Sequence, residues 1–132
     1  MESSRARLLV VEDDPKLREL LIRLTKTKGF DTTAAATGEE AFSALERQRF
    51  DLVMLDLRLP DMAGTKVLKA ISGIGETTQV IIITGYASLE SAIESVRLNA
   101  ADYLIKPFGI KRLEEALERS EEHTSELQSP NT

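Results

Sequence analysis

The sequence predicts an α/β fold, a doubly wound five-stranded parallel sheet of (βα)5 type with the strand order 2-1-3-4-5. The first observation is that five short apolar runs alternate with five amphipathic helical patterns along 132 residues. The second is that the runs at residues 7–11, 52–55 and 80–83 are almost continuously apolar, which is typical of strands covered by helices on both faces. The third is the alternation itself, because successive strands separated by helices pair in parallel through right-handed crossovers.

The first strand is predicted at residues 7–11. Asp14 and Pro15 then indicate the start of a helix, since aspartate is a favoured N-cap and proline a favoured first-turn residue. The leucines of this helix share one face at the spacing i, i+3, i+4, i+7: Leu17, Leu20, Leu21 and Leu24. Gly29 ends the helix, and a weaker second strand follows at residues 30–35.

Thr37 is the predicted N-cap of the second helix. The inner face of this helix is formed by Ala41, Ala44 and Leu45. The third strand occupies residues 52–55, and the third helix occupies residues 64–72. The inner face of the third helix is formed by Val67, Leu68 and Ile71.

The fourth strand is predicted at residues 80–83, and Ser88 caps the helix after it. The apolar face of this fourth helix carries Leu89, Ala92, Ile93 and Val96. Asn99 is suited to a left-handed stop, and the fifth strand follows at residues 101–105. The last helix is marked by Ile110, Leu113 and Leu117. We expect the apolar stripes of all five helices to lie in the core.

Composition excludes several classes of function. The chain has no cysteine, so a disulfide framework, a thiolate metal site and a cysteine nucleophile are all excluded. No segment resembles a signal peptide or reaches the roughly 18 apolar residues of a membrane span, so the expected location is the cytoplasm, without membrane contact. The net charge is −5 and the lysines and arginines are scattered, so no nucleic-acid contact is expected within this chain.

Polar residues follow the strands at the edge where their carboxyl ends meet. In chain order they are Glu12, Asp13 and Asp14 after strand 1, Asp56 after strand 3, Thr84 after strand 4, and Lys106 with Pro107 after strand 5. Strands 1 and 3 are neighbours in the order 2-1-3-4-5, so their acidic residues converge. Thr84 and Lys106 then flank Asp56 on its other side.

These residue types suit phosphoryl chemistry. Several carboxylates close together repel one another unless a cation joins them, and oxygen ligands of this kind favour Mg²⁺. A lysine provides a positive charge for phosphate, and a threonine provides a hydroxyl donor. Phosphoryl transfer depends chiefly on positioning and charge neutralisation, and an aspartate carboxylate is a known nucleophile for it.

Four sequence motifs carry a resemblance to a known family. They are LLVVEDDP, DLVMLDLRLPDMAG, VIIITGYAS and DYLIKPF, in this order. Together they strongly resemble the receiver domain of two-component response regulators, over residues 7 to about 119. The resemblance implies a flavodoxin-like fold and a signalling switch that assists its own phosphorylation and dephosphorylation, rather than an enzyme.

The resemblance also implies a role for each residue of the predicted site. Asp56 matches the phosphoryl acceptor, which also binds the metal. Asp13 matches the direct Mg²⁺ ligand, Glu12 the acid that reaches the metal through water, and Arg58 the residue that supplies a backbone carbonyl to the metal. The side chains of Arg58 and Tyr86 are expected at the rim. Asp14 is expected to remain the helix N-cap.

Three further residues match the switching part of the family site. Thr84 matches the switch hydroxyl that moves toward the phosphoryl group. Tyr103 matches the switch aromatic residue that turns inward when Thr84 moves. Lys106 matches the phosphate-binding lysine, and its bond to Pro107 is expected to be cis.

The implied partners are a histidine kinase or a phosphotransfer protein, and an output domain or partner protein. A small phosphodonor is an alternative source of the phosphoryl group. In the family the face made by helix 4, strand 5 and helix 5 commonly meets partners, so it could also form a homodimer. Arg97, Lys111 and Arg112 are candidates for that contact, although solvated charge is the expectation for each.

Three alternatives remain at this stage. A haloacid-dehalogenase-type aspartyl-phosphate phosphatase has a second aspartate two residues after the nucleophile, where this chain has Arg58. A flavodoxin-like nucleotide or flavin carrier needs a phosphate loop after strand 1, where this chain has acidic residues that repel phosphate. A receiver that functions by binding alone, without phosphorylation, is the third.

The last residues differ in character from the rest. The receiver domain is predicted at residues 1–119 and a non-domain segment at residues 120–132. The string RSEEHTSELQS, from residue 119 to residue 129, matches the translation of a common short-read sequencing adapter. We expect residues 120–132 to be adapter read-through, which would leave any output domain after residue 119 missing.

Overall fold

Strands and helices alternate along the whole described part of the chain. The computed structural model describes residues 5–74 and 77–128, with side chains described up to residue 120. The five strands within these ranges are β1 (Arg7–Val11), β2 (Asp31–Ala35), β3 (Leu52–Asp56), β4 (Gln79–Thr84) and β5 (Asp102–Ile105). The five helices are α1 (Pro15–Thr27), α2 (Gly38–Arg47), α3 (Gly64–Ile74), α4 (Leu89–Arg97) and α5 (Ile110–Gln128).

The five strands form one parallel sheet in the order β2-β1-β3-β4-β5. The predicted fold class and strand order are therefore confirmed. The register aligns the ends of neighbouring strands, because Val11 is opposite Leu55 in the β1–β3 pair. The order reverses beside β1, which places the carboxyl ends of β1 and β3 at the switch point where ligands bind in sheets of this kind.

Side-chain caps begin three of the helices, as the sequence predicts. The carboxylate of Asp14 accepts from the backbone N–H of Lys16 at 3.2 Å at the start of α1. The hydroxyl groups of Thr37 and Ser88 accept from the third residue of α2 and α4, each at 3.0 Å. Asn99 adopts a φ of 64° after α4, which confirms the left-handed stop.

The core has two layers, one on each face of the sheet. One layer joins α2 and α3 to strand residues that include Leu9, Val53 and Ile82. The other joins α1 and α5 to the alternate strand residues, such as Leu8 and Met54. Burial of each such side chain stabilises the fold by about 1.5–3 kcal/mol, so β1, β3 and β4 hold the sheet rigidly under the predicted site.

The prediction that all five apolar stripes lie in the core is wrong for α4. Leu89 and Val96 are 78% and 76% exposed, and Ile93 is 50% exposed. The only buried residue of α4 is Ser95. The physical reason is that α4 lies beside β5, a four-residue strand at the edge of the sheet, which offers little surface for a helix to cover.

Three smaller differences concern the surface. Leu20 of α1 and Ile110 of α5, predicted in the core, are 48% and 55% exposed. They border an apolar groove of about 420 Å³ between α1 and α5. Neither helix fully covers the other at this groove, so both side chains stay partly accessible to solvent. Arg112 is only partly solvated, because its guanidinium group also makes two hydrogen bonds to Asp102, at 2.8 and 3.2 Å.

The C-terminal segment continues the last helix as far as Gln128. Residues 129–132 of the predicted adapter segment, and the side chains from residue 121 onward, lie outside the described residues. Across the described part of the chain, none of the helices combines the length and the apolar character needed to cross a membrane.

Candidate functional site

The carboxyl ends of β1 and β3 bring three carboxylates together. One oxygen from each of Glu12, Asp13 and Asp56 lies within 4.8 Å of the others. Glu12 and Asp56 are buried, at 0% and 3% exposure, whereas Asp13 is exposed. The convergence follows from the pairing of β1 with β3, which places the residues after Val11 beside the end of β3.

Lys106 is the positive charge of this cluster. It follows β5, and its backbone N–H donates to the carbonyl oxygen of Thr84 at 2.8 Å. Its Nζ lies 2.8 Å from Oε1 of Glu12 and 2.9 Å from Oδ2 of Asp56. The peptide bond between Lys106 and Pro107 is cis. One ammonium group therefore bridges the acids that follow β1 and β3.

The surroundings shift the pKa values of two of these groups. Burial alone would lower the pKa of Lys106, but the carboxylates of Glu12 and Asp56 outweigh it and raise that pKa. Burial raises the pKa of Glu12, and the charge of Asp56 adds to this effect, although Lys106 and a backbone N–H oppose it. Lys106 is consequently fully charged near neutral pH.

Both carboxylate oxygens of Glu12 have partners. Its Oε2 accepts from the backbone N–H of Asp14 at 3.0 Å. Its Oε1 is buried and lies 2.8 Å from Nζ of Lys106, which also contacts Asp56. One ammonium group is therefore shared by two buried carboxylates.

Counting charges indicates which cation the cluster fits. The cluster has three carboxylates and one ammonium group, and two of the three carboxylates are buried. Burying uncompensated charge is strongly unfavourable. A divalent cation compensates it, and a set of carboxylate oxygens favours a hard cation such as Mg²⁺. The residues present therefore fit a Mg²⁺ ion.

Arg18 holds the β1–α1 loop that carries two of the acids. Its Nη1 donates to the carbonyl oxygens of Glu12 at 3.0 Å and of Asp13 at 3.2 Å. The sequence analysis missed this residue. Its position one helical turn after Asp14, facing back to the loop before the helix, is the signal that could have identified it.

The β3–α3 loop fixes the carboxylate of Asp56. Its Oδ1 accepts from the backbone N–H of Arg58 at 3.0 Å. The loop closes where the N–H of Gly64 donates to the carbonyl oxygen of Leu57 at 2.7 Å. A methyl group on Gly64 would lie 2.6 Å from Cα of Leu57 and closer still to the carbonyl oxygen of Asp56. Glycine is therefore required sterically beside Asp56.

Asp61 attaches the same loop to the start of α2. Its carboxylate accepts from the backbone N–H groups of Gly38 at 2.8 Å and of Glu39 at 3.0 Å. The bond from Gly38 is the main cause of a pKa for Asp61 below its usual range. Asp61 is a second contributor that the sequence analysis missed, because its partners are distant in sequence.

The side chains of the remaining predicted residues surround the site, and only the backbone N–H of Arg58 contacts an acid of the cluster among them. Thr84 is fully buried, and its Oγ1 accepts from the N–H of Tyr86 at 3.0 Å. The guanidinium carbon of Arg58 lies 4.0 Å from the ring centre of Tyr86, a cation–π contact at the rim. Tyr103 is half-buried, and its hydroxyl contacts Ser91 of α4 at 2.7 Å. A cavity of about 410 Å³ lies between Thr84 and α4.

Comparison with known proteins gives a consistent result. A family model described as the response regulator receiver domain matches residues 8–118. The transcriptional regulatory protein ZraR of Salmonella typhimurium is 36% identical over 119 residues, which are 90% of this chain and 27% of ZraR. The chain thus spans about a quarter of the length of this relative.

Solved structures agree with the sequence comparison. The non-phosphorylated HemR receiver domain of Leptospira biflexa has a TM-score of 0.85 at 31% identity, covering 97% of this chain and all of that one. Response regulator protein TrrA of Thermotoga maritima was solved in complex with Mg²⁺-BeF. It has a TM-score of 0.77 at 31% identity and covers 87% of this chain and 98% of its own.

Proposed function

Because the chain belongs to the response regulator receiver domain family of two-component systems, we propose that it is a phosphorylation-activated switch with Asp56 as the phosphoryl acceptor. The single observation that carries the proposal is the contact of Lys106 with Asp56 at 2.9 Å, inside a cluster of three carboxylates. Asp56 has a nearly buried carboxylate, held at one oxygen by a backbone N–H and at the other by a cation. These contacts orient it as a nucleophile.

The proposed step is a transfer from a phosphohistidine or from a small acyl phosphate. A carboxylate oxygen of Asp56 forms a bond to phosphorus while the bond from phosphorus to the donor's nitrogen or oxygen breaks. The bonding electron pair leaves with the donor, and an acyl phosphate remains on Asp56. Water later cleaves this acyl phosphate, which releases inorganic phosphate and restores the carboxylate.

The chain's own residues stabilise the added phosphoryl group. It carries a charge of roughly −1.5 to −2 at neutral pH. Lys106 is already within 2.9 Å of Asp56 and supplies a positive charge to the phosphoryl oxygens. Thr84 supplies a hydroxyl donor from the end of β4, the strand paired with β3. Arg58 and Tyr86 lie at the rim and control access of water to the phosphoryl group.

Mg²⁺ is the proposed cofactor. Asp13 and Asp56 would bind it directly, Glu12 would hold it through water, and the backbone carbonyl of Arg58 would complete the protein ligands. The bound ion supplies charge neutralisation for the phosphoryl oxygens. The excess of three carboxylates over the one ammonium group of the cluster supports this assignment.

The proposed output is a change in the surface made by α4, β5 and α5. Movement of Thr84 toward the phosphoryl group leaves space beside α4, into which Tyr103 turns. The exposed apolar residues of α4 are available to a partner on this surface, either an output domain or a second copy of the chain.

A histidine kinase or phosphotransfer protein in the cytoplasm is the proposed donor. The receiver domain is proposed to end near residue 119, close to the end of the family match at residue 118.

Intact-mass spectrometry after incubation with acetyl phosphate and Mg²⁺ tests the acceptor. We expect the wild-type protein to gain one phosphoryl group and Asp56→Asn to gain none. Asp31→Asn is the matched control, because Asp31 is an exposed aspartate at the opposite end of the sheet, and it should gain the group like wild type. Omitting Mg²⁺ should abolish the gain.

Two results would contradict the proposal. A phosphoryl group retained by Asp56→Asn would assign the acceptor to another residue. A folded wild-type protein that gains no phosphoryl group, from acetyl phosphate or from a phosphorylated histidine kinase, would be a receiver that functions by binding alone.

A further inference from the structure

The hydroxyl group of Tyr103 connects β5 to the first turn of α4. It lies 2.7 Å from Oγ of Ser91. Ser91 is also half of the capping box of α4, because its Oγ accepts from the N–H of Ser88 at 3.2 Å while the Ser88 hydroxyl accepts from the N–H of Ser91 at 3.0 Å. A single serine oxygen therefore serves both the start of α4 and the aromatic residue on the neighbouring strand.

Oγ of Ser91 takes part in several hydrogen bonds at the start of α4. It donates to the carbonyl oxygen of Ser88 at 3.1 Å, and it accepts from the Ser88 hydroxyl at 3.1 Å. In the contact with the Tyr103 hydroxyl at 2.7 Å either oxygen can donate, so each hydroxyl is the other's polar partner. Tyr103 is half-buried, so loss of Ser91 would leave its hydroxyl without a described partner.

The contact matters because α4 is weakly held by packing. Only Ser95 of its nine residues is buried, and its apolar side chains face outward. The Ser95 hydroxyl donates to the carbonyl oxygen of Ser91, so it braces the same turn of the helix. A hydrogen bond at this turn is thus a substantial fraction of what holds the start of α4 against the sheet.

We propose that Ser91 is a positioning residue that sets the orientation of Tyr103 and couples it to the start of α4. The proposal rests on the role of Tyr103 as the switch residue. The cavity of about 410 Å³ that separates Thr84 from α4 is lined by Ser88 and Ser91 themselves. Reorientation of Tyr103 breaks its bond to Ser91 and releases the first turn of α4 beside this space.

Four substitutions separate this role from helix capping. Ser91→Ala removes the polar partner of the Tyr103 hydroxyl, and Ser91→Thr retains a hydroxyl and should restore the contact. Ser88→Ala is the capping control: it removes the N-cap hydroxyl, which is bonded to the N–H and to Oγ of Ser91, but it leaves the partner of Tyr103 in place. Tyr86→Phe serves as the background, since the chain has two tyrosines and this change leaves Tyr103 as the only one.

The measurement is the NMR signal of ¹³C-labelled tyrosine in that background, first without a phosphodonor. We expect Ser91→Ala to move the Tyr103 ring signals and to change the ratio of its two orientations by about 2- to 10-fold, the factor that one net hydrogen bond supplies. Ser91→Thr should keep the parent signal positions. Ser88→Ala removes one hydrogen bond to Oγ of Ser91 but not the Tyr103 contact, so it should shift the signals less than Ser91→Ala does. The proposal would be overturned if the Tyr103 signals of Ser91→Ala matched those of the parent, or if Ser88→Ala shifted these signals as much as Ser91→Ala does.

The same samples with acetyl phosphate and Mg²⁺ test the coupling separately from the phosphorylation. These spectra are compared only for samples whose intact mass shows a phosphoryl group. In Ser91→Ala, the Tyr103 signals should shift less on phosphorylation than they do in the parent. Identical changes would reject the coupling and leave the proposed function standing. No phosphoryl group on the wild-type protein, from acetyl phosphate or from a phosphorylated histidine kinase, would reject the proposed function. The donor-free spectra would still decide whether Ser91 positions Tyr103.

Discussion

Replacing Gly64 by alanine tests whether the β3–α3 loop holds Asp56 as tightly as its contacts indicate. Gly64 begins α3 and donates its N–H to the carbonyl oxygen of Leu57 at 2.7 Å. An added methyl group would lie 2.6 Å from Cα of Leu57, and it would also overlap the carbonyl oxygen of Asp56. Both neighbours are backbone at the end of a fully buried strand, so neither can rotate away.

The expected magnitude follows from this geometry. Non-bonded carbon atoms are most favourable at about 3.5–4.0 Å, so relief of the overlap needs a displacement of about 1 Å. Overpacking of a well-packed region costs typically about 1–3 kcal/mol, and a clash with backbone lies at the upper end. We therefore expect Gly64→Ala to lower the free energy of unfolding by about 3 kcal/mol and the thermal midpoint by roughly 10 °C.

Urea unfolding followed by far-UV circular dichroism measures the change, because the chain has no tryptophan for fluorescence. Gly73→Ala is the matched control in the same helix. A methyl group on Gly73 meets no atom within 4 Å, and alanine is the better helix former. Gly73→Ala should raise the free energy of unfolding by up to about 1 kcal/mol, opposite in sign to Gly64→Ala.

The reasoning also predicts a functional effect. Displacement of the backbone at Asp56 moves its carboxylate relative to Lys106, so Gly64→Ala should accept phosphoryl groups more slowly from acetyl phosphate even where it remains folded. A Gly64→Ala protein whose free energy of unfolding lies within about 1 kcal/mol of wild type, and which is phosphorylated at the wild-type rate, would refute the close packing of this loop against Asp56.

The remaining predictions concern a cap, an ion pair and a helix surface. Asp61→Ala should lower the thermal midpoint at neutral pH, and its difference from wild type should shrink in acid. The pKa of Asp61 is lowered in the folded protein, so its stabilising effect is complete above the usual carboxyl pKa and is lost as the pH falls through the folded pKa. An Asp61→Ala protein equally affected at every pH would refute a role for its charge. Asp102→Asn should cost about 1 kcal/mol at pH 7, since its ion pairs with Arg112 and Arg119 are partly exposed. Burial alone would raise the pKa of Asp102, but Arg112, a backbone N–H and Arg119 lower it, so this cost should vanish in acid when urea unfolding is followed against pH. Val96→Gln should change the free energy of unfolding by less than about 0.5 kcal/mol in the same assay, because Val96 is 76% exposed; a loss of 2 kcal/mol or more would place it in the core.

The sequence could predict the sheet because local and global signals agree. The continuous apolar runs at β1, β3 and β4 have no exposed face, so they require helices on both sides of a parallel sheet. Asp14, Thr37 and Ser88 mark helix starts through a local hydrogen bond, which needs no tertiary information. The strand order then brings the acids after β1 and β3 together.

What the sequence could not predict depends on contacts between distant segments. Helical periodicity on α4 indicates an apolar face but not whether another element covers it, and at the edge of this sheet nothing described does so. Asp61 meets Gly38 across 23 residues, and Lys106 meets Glu12 as well as Asp56. Tyr103 of β5 finds its polar partner, Ser91, on α4, twelve residues earlier in the chain.

The unequal burial of the chain bears on how a signal could leave the site. Moving a segment costs free energy in proportion to the apolar surface it uncovers, about 25 cal/mol per Å². β1 and β3, which lead to the acids, are almost entirely buried, so the proposed phosphoryl group on Asp56 would act on a rigid frame. α4 has one buried residue and contacts β5 through the hydroxyl of Tyr103, so the same free energy would move it much further. In the proposed switch, electrostatic change at the rigid end of β3 would therefore be expressed mainly in α4, beside the cavity next to Thr84.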